Sequence, residues 1–497
     1  LATATEETIL DVQAVGGTDR LCSLLQPLLA GARCVKAFHD AKTSLRYLLA
    51  AGLVPTRIFD SMLADQLLSA GEMTHPPTLQ ESAHRHLGVE LRYPAHPADH
   101  RALLAQVRAV YDLRLRLVPI LVKARLVRCA QIEFECAVVT AAMEQTGIRL
   151  DTGALQEIVY RGRQRMAQAT VQFSRAFGNA QDALFDEPVV SLSADQQVLA
   201  FLQQHGVPVQ RLSRSALRPL IPSFPALQYL LEYRQASADR ALESYLEAVH
   251  PVSRRIHPTY SQLAAATGRY GCSNPNMQSF PRSLEHRACI VPAPGYRFVI
   301  ADYSQIELRI VAQISQDRRM LHAFGRGADL HILTASILTD KPPKSVSPLE
   351  RQAAKAVNFG LIYAMGTRGL AAYAQQTYGV EMSLEEAAKF RQRFFAAYTG
   401  VARWHHQTKK TRPQLVRTLS GRMRRVPPGQ LTQALNSPVQ GTGADILKRA
   451  LVLLFPALRV MGASIVGVVH DEILVEAPKA QAHAVCQTIN EKMAQAA

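Results

Sequence analysis

Two widely separated aspartates, each placed where a predicted strand ends, constrain this chain more than any other feature. Asp302 follows a predicted strand at 295–300, and Asp471 occupies the predicted turn between β-branched runs at 464–469 and 473–475. A strand end or a tight turn fixes a carboxylate better than a flexible loop does. Magnesium prefers oxygen ligands, commonly one or two carboxylates together with phosphates. The sequence therefore predicts that the two aspartates converge on a pair of magnesium ions.

A helix with a well-defined start lies between the two aspartates. Ser347 is a predicted N-cap, Pro348 suits the first helical position, and Glu350 completes a capping box. Cations near the helix start favour phosphate, and aromatic rings further along can stack on a base. These side chains follow one another at four-residue steps: Arg351, Lys355, Phe359 and Tyr363. Spacing alone favours an ordinary amphipathic helix, so the interpretation as a triphosphate site depends on the two aspartates.

The charge distribution favours a polyanionic partner. Lys+Arg minus Asp+Glu gives 56 − 40 = +16, and no acidic residue occurs between 387 and 444. Such a single-sign field repels itself unless something negative lies against it, as phosphates would. The cations of this stretch are Lys389, Arg391, Arg393, Arg403, Lys409, Lys410, Arg412, Arg417, Arg422, Arg424 and Arg425.

Length and composition limit the class of protein. A chain of 497 residues is expected to form two or more domains. No apolar run is long enough for a membrane span and no secretory signal is evident, so we expect a cytoplasmic protein. The seven dispersed cysteines favour reduced thiols over a disulfide framework or a zinc site.

Periodicity indicates the organisation of the first half. Short strands and helices predict an α/β unit at the start of the chain, followed by mainly helical sequence from 103 to about 175. A loop is predicted at 179–190 and an exposed, basic, proline-rich tip at 206–225. A single long helix is predicted at 228–249. Near the end of the chain, a helix is predicted at about 431–454.

Six segments, in sequence order, resemble motifs of family A DNA polymerases, the bacterial DNA polymerase I type. Residues 302–309 resemble the first palm motif, 351–363 the fingers helix, and 469–472 the second palm motif. The remaining likenesses are to the primer-binding segment (267–269 with 274–278), the fingers histidine (329–331) and the template and primer contacts (436–442). The resemblance extends from about residue 132 to the end of the chain.

The resemblance implies roles for individual residues. Asp302 and Asp471 would bind two Mg²⁺ ions, for which Mn²⁺ can substitute, with the Tyr303 carbonyl as a further ligand. His331, Arg351 and Lys355 would hold the triphosphate of a deoxynucleotide. Phe359 and Tyr363 would shape the nucleotide pocket, and Glu307 would act as a gate that excludes the ribose 2′-hydroxyl. The implied contacts to primer-template DNA are Arg269, Asn276, Gln278, Asn436, Gln440 and His470, with Arg211 and Arg214 at the basic tip.

Some positions depart from the family pattern. Ala364 stands where the family usually has glycine after the fingers tyrosine, and Thr432 stands where it usually has arginine. The start of the chain resembles a 3′–5′ exonuclease domain that lacks most of its metal ligands. Ser44 replaces a carboxylate, and Arg108 replaces the tyrosine expected four residues before Asp112. A two-metal exonuclease without its ligands cannot hold its metals, so we expect no proofreading by this chain.

The resemblance therefore predicts an α+β multidomain fold, a right-hand polymerase behind an α/β ribonuclease H-like, exonuclease-like domain. The expected boundaries are 1–131 for the degenerate exonuclease-like domain, 132–258 for the thumb, 259–318 and 428–497 for the palm, and 319–427 for the fingers. The predicted function is template-directed DNA synthesis in replication or repair by a monomer. The alternatives are a single-subunit RNA polymerase, which Glu307 argues against, and a non-catalytic DNA-binding relic, which the intact aspartates argue against.

Overall fold

A computed structural model describes residues 1–93, 96, 99–177 and 190–497. The loop predicted at 179–190 lies, apart from Val190, outside the described residues. The chain forms two compact units. The first contains residues 1–147, 258–273 and 293–497, and the second contains 148–257 and 274–292. No helix in the described part of the chain is long and apolar enough to cross a membrane.

The first half of the chain is mainly helical, with short strands. Up to residue 147 the elements are α1 (Thr18–Ala30), β1 (Lys36–Phe38), α2 (Ala41–Ala50), β2 (Ile58–Asp60), α3 (Ser61–Leu68), α4 (Leu79–Leu87), α5 (His100–Lys123) and α6 (Val127–Thr146). Up to residue 292 they are β3 (Ile148–Arg149), α7 (Thr152–Phe177), α8 (Asp195–Gln204), α9 (Arg214–Leu217), α10 (Leu227–Arg240), α11 (Glu243–Glu247), β4 (Arg255–Ile256), β5 (Thr259–Ser261), β6 (Gly271–Ser273) and α12 (Leu284–Ala288).

The second half contains the longest strands in the described part of the chain, together with a helix of 30 residues. Its elements are β7 (Tyr296–Asp302), α13 (Ile306–Ser315), α14 (Arg318–Gly325), α15 (Leu330–Thr339), α16 (Pro348–Leu361), α17 (Thr367–Tyr378), α18 (Leu384–Ala397), α19 (Thr399–Thr411), β8 (Leu415–Arg417), β9 (Met423–Arg425), α20 (Leu431–Val460), β10 (Ser464–Val469), β11 (Glu472–Pro478) and α21 (Ala482–Ala496). Single 3₁₀ turns occur at Arg218–Leu220, Met277–Ser279, Pro343–Ser345 and Lys479–Gln481.

An antiparallel sheet in the order β10–β11–β7 forms the centre of the first unit. The predicted hairpin is present, with a two-residue turn between β10 and β11. One face of the sheet packs on α20, α21 and α6, where Val468, Ile473, Val475, Leu451 and Leu454 are fully buried. Helix α20 runs six residues beyond the predicted end because Leu458 is buried in the same core and extends the packed face.

Two further cores complete the first unit. Near the start of the chain, β1 and β2 pair in parallel, and α2, α3, α5 and α6 cover them around Leu45, Phe59 and Leu113. Helices α13 to α19 enclose the other core around Val357 and Phe394. The short strands predicted at the start of the chain are therefore present. The assignment of residues 1–131 as a degenerate exonuclease-like domain remains a prediction.

The second unit is built on the pair α7 and α10, which approach closely at Gly162. A methyl group there would lie 3.1 Å from the backbone of α10. The predicted helix at 228–249 is wrong as a single element, because α10 ends at Arg240 and α11 begins at Glu243, with Leu242 buried between them. The unit differs from the predicted thumb, since α6 lies in the first unit and 274–292 in the second.

The basic tip predicted at 206–225 is only partly exposed. The cations Arg211, Arg214 and Arg218 are exposed, as expected. The apolar residues of this segment instead form a small core with Phe173 of α7 and Leu227 of α10. The free energy gained by burying these side chains offsets the loss of conformational entropy. These residues are Val207, Val209, Leu212 and Leu217.

Helix α16 ends in a turn whose backbone conformation is unfavourable for one of the residues that form it. The Met365 N–H donates to the Gly360 carbonyl and the Ala364 N–H to the Leu361 carbonyl, both at 3.0 Å. This pattern is a Schellman motif, and Ala364 occupies its left-handed position with φ +60°. Glycine adopts that conformation without steric cost, whereas an alanine methyl group crowds the following carbonyl.

We expect Ala364→Gly to raise the free energy of unfolding by about 0.5–1 kcal/mol, because relief of the left-handed strain exceeds the entropy that glycine adds to the unfolded chain. Urea unfolding followed by circular dichroism measures the change. The matched control is Ala388→Gly, at an exposed position inside α18, which should lose about 1 kcal/mol. Equal losses in the two variants would contradict the assignment of strain to Ala364.

Candidate active site

The two predicted aspartates converge at one end of the central sheet. Asp302 is the last residue of β7, and its Cα pairs with that of Glu472, the first residue of β11. Asp471 precedes Glu472 in the hairpin turn, where His470 has φ +60°. The carboxyl groups of Asp302 and Asp471 are close enough for the charge of one to act on the other. Loss of hydration, followed by the charge of Asp471, raises the pKa of Asp302 to about 6.

A carboxyl pair of this kind is a plausible donor set for a hard divalent cation. Two carboxylates in contact repel unless a proton or a cation lies between them. No cluster of three or more His, Cys, Asp or Glu side chains that could hold a metal occurs in the described ranges. Two carboxylates suit an ion such as Mg²⁺, which takes its remaining ligands from phosphates and water.

Helix α16 has the predicted start. The Ser347 hydroxyl accepts a hydrogen bond from the Glu350 N–H at 3.2 Å, and the Glu350 carboxylate accepts one from the Ser347 N–H at 2.8 Å. One turn further, the Arg351 guanidinium donates to Asp329 from Nε at 3.0 Å and from Nη2 at 2.6 Å. Asp329 also caps α15 by accepting from the His331 N–H at 2.8 Å. Through Asp329, the side chain of Arg351 is thus held against the start of α15.

His331 is buried and has a defined tautomer. Its Nδ1 accepts from the Asn358 amide at 2.9 Å, and the Asn358 oxygen accepts from the Thr334 hydroxyl at 3.0 Å. Burial, reinforced by the charges of Arg351 and Lys355, lowers the pKa of His331 to about 4. The neutral ring therefore carries its proton on Nε2, which can donate to a phosphate oxygen. Lys355 has no hydrogen-bond partner within the described part of the chain and can bind an anion.

Glu307, in the helix that follows Asp302, is hydrogen-bonded to the loop that carries Arg269 and to the turn after α16. Its Oε1 accepts from Arg269 Nη2 at 2.6 Å, and its Oε2 accepts from the Tyr363 hydroxyl at 2.5 Å. Burial and the negative charge of Glu307 raise the pKa of Tyr363 above its ordinary value. Phe359 lies beside His331, with ring centroids 5.7 Å apart. Tyr363 lies in the turn beyond Leu361, so it does not continue the helix on which Arg351, Lys355 and Phe359 lie.

The predicted DNA contacts are distributed over both units. In the first unit, Arg269 reaches Glu307, Asn436 and Gln440 lie on α20, and His470 lies in the hairpin turn. The Asn436 side-chain oxygen is buried and has no partner among the described residues. In the second unit, Asn276 caps a 3₁₀ turn by accepting from the Gln278 N–H at 3.1 Å. Arg211 and Arg214 are exposed in that unit.

Part of the basic stretch at 387–444 is neutralised inside the protein, which the sequence analysis missed. Arg422 is 4% exposed and is paired with Glu133 and Asp445. Arg425 is paired with Glu72 as well, but both of these side chains are exposed at the surface. Glu133 and Glu72 lie far away in the sequence, so no local pattern could have paired them with these cations. Asp329 was predicted only as part of a motif, and its role as the partner of Arg351 was also missed.

The comparisons with known proteins agree with this architecture. The family model described as "DNA polymerase family A" matches residues 179–497, and the chain therefore belongs to that family. DNA polymerase I of Chloroflexus aurantiacus is 32% identical over 94% of this chain and 53% of its own length. The thermostable DNA polymerase I of Thermus aquaticus is 33% identical over 73% of this chain and 45% of its own.

A solved structure extends the likeness to the whole fold. The POL domain of Pol1 from M. smegmatis, in complex with DNA primer-template and dNTP, superimposes with a TM-score of 0.84 at 28% identity. The match covers 97% of this chain and 87% of that one. The chain spans about half the length of the curated relatives described above.

The carboxyl pair predicts a pH-dependent effect on stability. The folded-state pKa of Asp302, about 6, exceeds its ordinary value of 3.8, so its contribution to folding is lost as pH rises through 6. Without divalent metal, we expect Asp471→Asn to raise the free energy of unfolding at pH 8 by about 1 kcal/mol, after allowance for solvent screening. Thermal unfolding at pH 4 and pH 8 measures the effect, which should be absent at pH 4.

The matched control is Asp340→Asn, at an exposed position, which should leave stability unchanged at both pH values. Added Mg²⁺ should stabilise the parent protein more than Asp471→Asn, because binding to the folded state alone raises stability. A destabilised Asp471→Asn protein at pH 8 would contradict the repulsion between the two carboxylates.

Proposed function

We propose that this chain is a template-directed DNA polymerase that adds deoxynucleotides to a primer 3′ end. One observation carries the proposal: the Asp302–Asp471 pair is linked to α16 through Glu307, which follows Asp302 by five residues in the chain and accepts a hydrogen bond from Tyr363 just beyond that helix. Acidic and cationic groups suited to a nucleoside triphosphate therefore belong to one site. Membership of family A and the likeness to a polymerase domain that binds primer-template and dNTP support the same conclusion.

In the proposed reaction, the primer 3′-hydroxyl attacks the α-phosphate and pyrophosphate leaves. Asp302, Asp471 and the Tyr303 carbonyl would hold two Mg²⁺ ions, which when bound activate the hydroxyl and stabilise the charge on the phosphates. Arg351 and Lys355 neutralise the triphosphate, and His331 donates a hydrogen bond from Nε2. Catalysis then consists mainly of positioning and of stabilising charge that develops on the phosphates.

Arg351 must share its guanidinium between Asp329 and the incoming phosphates. Although burial acts to raise it, hydrogen bonds from Arg351 and from the His331 N–H hold the pKa of Asp329 below its ordinary value. Asp329 therefore stays ionised and keeps Arg351 extended towards α15 before substrate binds. Three N–H groups of Arg351, two on Nη1 and one on Nη2, are then left to meet phosphates without breaking an existing bond.

DNA would be held through its backbone by both units, since base pairing supplies the sequence information. Arg269, Asn436, Gln440 and His470 would contact primer or template in the first unit. Asn276, Gln278, Arg211 and Arg214 would do so in the second, which we propose as the thumb. The central sheet would be the palm, and helices α14 to α19 the fingers. We also propose that residues 1–131 carry no proofreading activity.

Primer extension tests the proposal directly. The parent protein should extend a paired primer on a DNA template with deoxynucleotides and Mg²⁺, whereas Asp471→Asn should retain DNA binding and lose at least about 1,000-fold in rate. A mismatched primer end should not be excised with either Mg²⁺ or Mn²⁺. Absence of extension by the parent would support a DNA-binding relic instead, and excision of the mismatch would contradict the loss of proofreading.

Selection against ribonucleotides should depend on Glu307. We expect Glu307→Ala to increase the use of ribonucleotides relative to deoxynucleotides by about 10- to 100-fold, because removing the carboxylate opens space beside the sugar. Steady-state kcat/KM for the two nucleotide classes measures the ratio. Glu385→Ala, at an exposed position on α18, is the control and should leave the ratio unchanged. Preferential use of ribonucleotides by the parent would favour an RNA polymerase.

A further inference from the structure

A buried cluster of four charged side chains lies beneath the loop that carries Arg269. Two are cations, Lys448 and Arg422, and two are carboxylates, Glu133 and Asp445. Each of the four is at most 5% exposed. They come from α6, from the β8–β9 hairpin and from α20, which all belong to the first unit.

Every proton of the Lys448 ammonium group has an acceptor. Lys448 Nζ donates to the Glu133 carboxylate at 2.5 Å, to the Gln262 carbonyl at 2.7 Å and to the Gly268 carbonyl at 2.8 Å. Gln262 and Gly268 lie near the two ends of the loop between β5 and β6. The buried Lys448 side chain is therefore hydrogen-bonded to both ends of this loop and holds them against α20 and α6.

The other side of the loop is fixed by Arg422. Its guanidinium is paired with both carboxylates, and Asp445 also accepts from the Thr418 hydroxyl at 2.8 Å. A methyl group on Gly268 would lie 2.6 Å from Arg422 Cζ, and Gly268 has φ +82°. Glycine is needed here both for its backbone conformation and for the close approach of the guanidinium. The loop consequently has little freedom to move.

Stability alone is a poor explanation for this cluster. Replacing a buried ion pair by well-packed apolar side chains is often neutral or stabilising, because the charges lose their hydration. Apolar side chains, however, cannot fix two backbone carbonyls in particular directions. The residue after Gly268 is Arg269, whose guanidinium contacts Glu307 at 2.6 Å. The direction of the Gly268 peptide group therefore determines where the Arg269 side chain begins.

We propose that Lys448 is a positioning residue that, together with Glu133 and Arg422, fixes the loop at 262–269 and so holds Arg269 against the primer terminus. This inference rests on the proposed function, in which Arg269 contacts primer-template DNA. The cluster touches neither nucleotide nor DNA, and it acts through Arg269. It therefore governs the affinity for primer-template DNA, and not the strength with which α16 binds the triphosphate.

The test is the steady-state kinetics of Lys448→Met, which keeps the length of the side chain and removes its three hydrogen bonds. We expect KM for primer-template to rise about tenfold, the factor equivalent to one hydrogen bond, and KM for dNTP to stay within about twofold. In an Arg269→Ala background, Lys448→Met should add nothing further to KM for primer-template. A further rise in that background, or an unchanged KM in the single variant, overturns the proposal.

Lys42→Met is the matched structural control. Lys42 also joins a buried carboxylate to a backbone carbonyl, donating to Glu144 and to the Tyr260 carbonyl at 2.8 Å each, but neither bond reaches the loop at 262–269. We expect Lys42→Met to lower thermal stability without changing KM for primer-template. An equal rise in KM in Lys42→Met would show a general loss of structure and would overturn the positioning role.

A second variant covers the case in which Lys448→Met does not fold. The pair Glu133→Gln with Lys448→Met removes one charge of each sign and leaves Arg422 paired with Asp445, and it should show the same tenfold rise. If neither variant folds where Lys42→Met does, the cluster serves the fold and the inference is wrong. Extension by the parent is measured first, because its absence would contradict the proposed function and not this inference alone.

Discussion

The candidate site depends on the antiparallel pairing of β7 with β11. That register places Asp302 opposite Glu472 and hence beside Asp471 in the adjoining turn. Because side chains alternate between the two faces of a strand, a slip of one residue would turn Asp302 to the opposite face of the sheet. Val299 and Ala301 of the same strand pack against the core and oppose such a slip, since it would turn them away from the core. The hydrophobic core behind the sheet thus maintains the geometry of the carboxyl pair.

Glu307 is the second point on which the site depends. One carboxylate receives hydrogen bonds from Arg269, in the loop between β5 and β6, and from Tyr363, beyond α16. Three separate parts of the first unit are held together by these contacts. The buried charges below Arg269 stabilise one of these three attachments.

The sequence correctly predicts those features that depend only on neighbouring residues. The capping box at Ser347 and Glu350 and the hairpin turn that carries Asp471 need only a few neighbouring residues, and both are present. Errors arose where distant packing decides the outcome. Helix α20 continues past 454 because Leu458 is buried, the tip at 206–225 folds onto Phe173, and Tyr363 leaves the helix in a Schellman motif.

The sequence by itself determined which chemistry is available: two aspartates at strand ends, a capped cationic helix and a carboxylate five residues after the first aspartate. These features are short-range, since backbone propensity and residue type fix them. Only the tertiary structure decided which groups meet. It paired Arg351 with Asp329, joined Glu307 to Tyr363, and withdrew Arg422 from the basic surface to neutralise Glu133 and Asp445. Such pairings join residues far apart in the chain, so they follow from the packing of the fold and not from any local pattern.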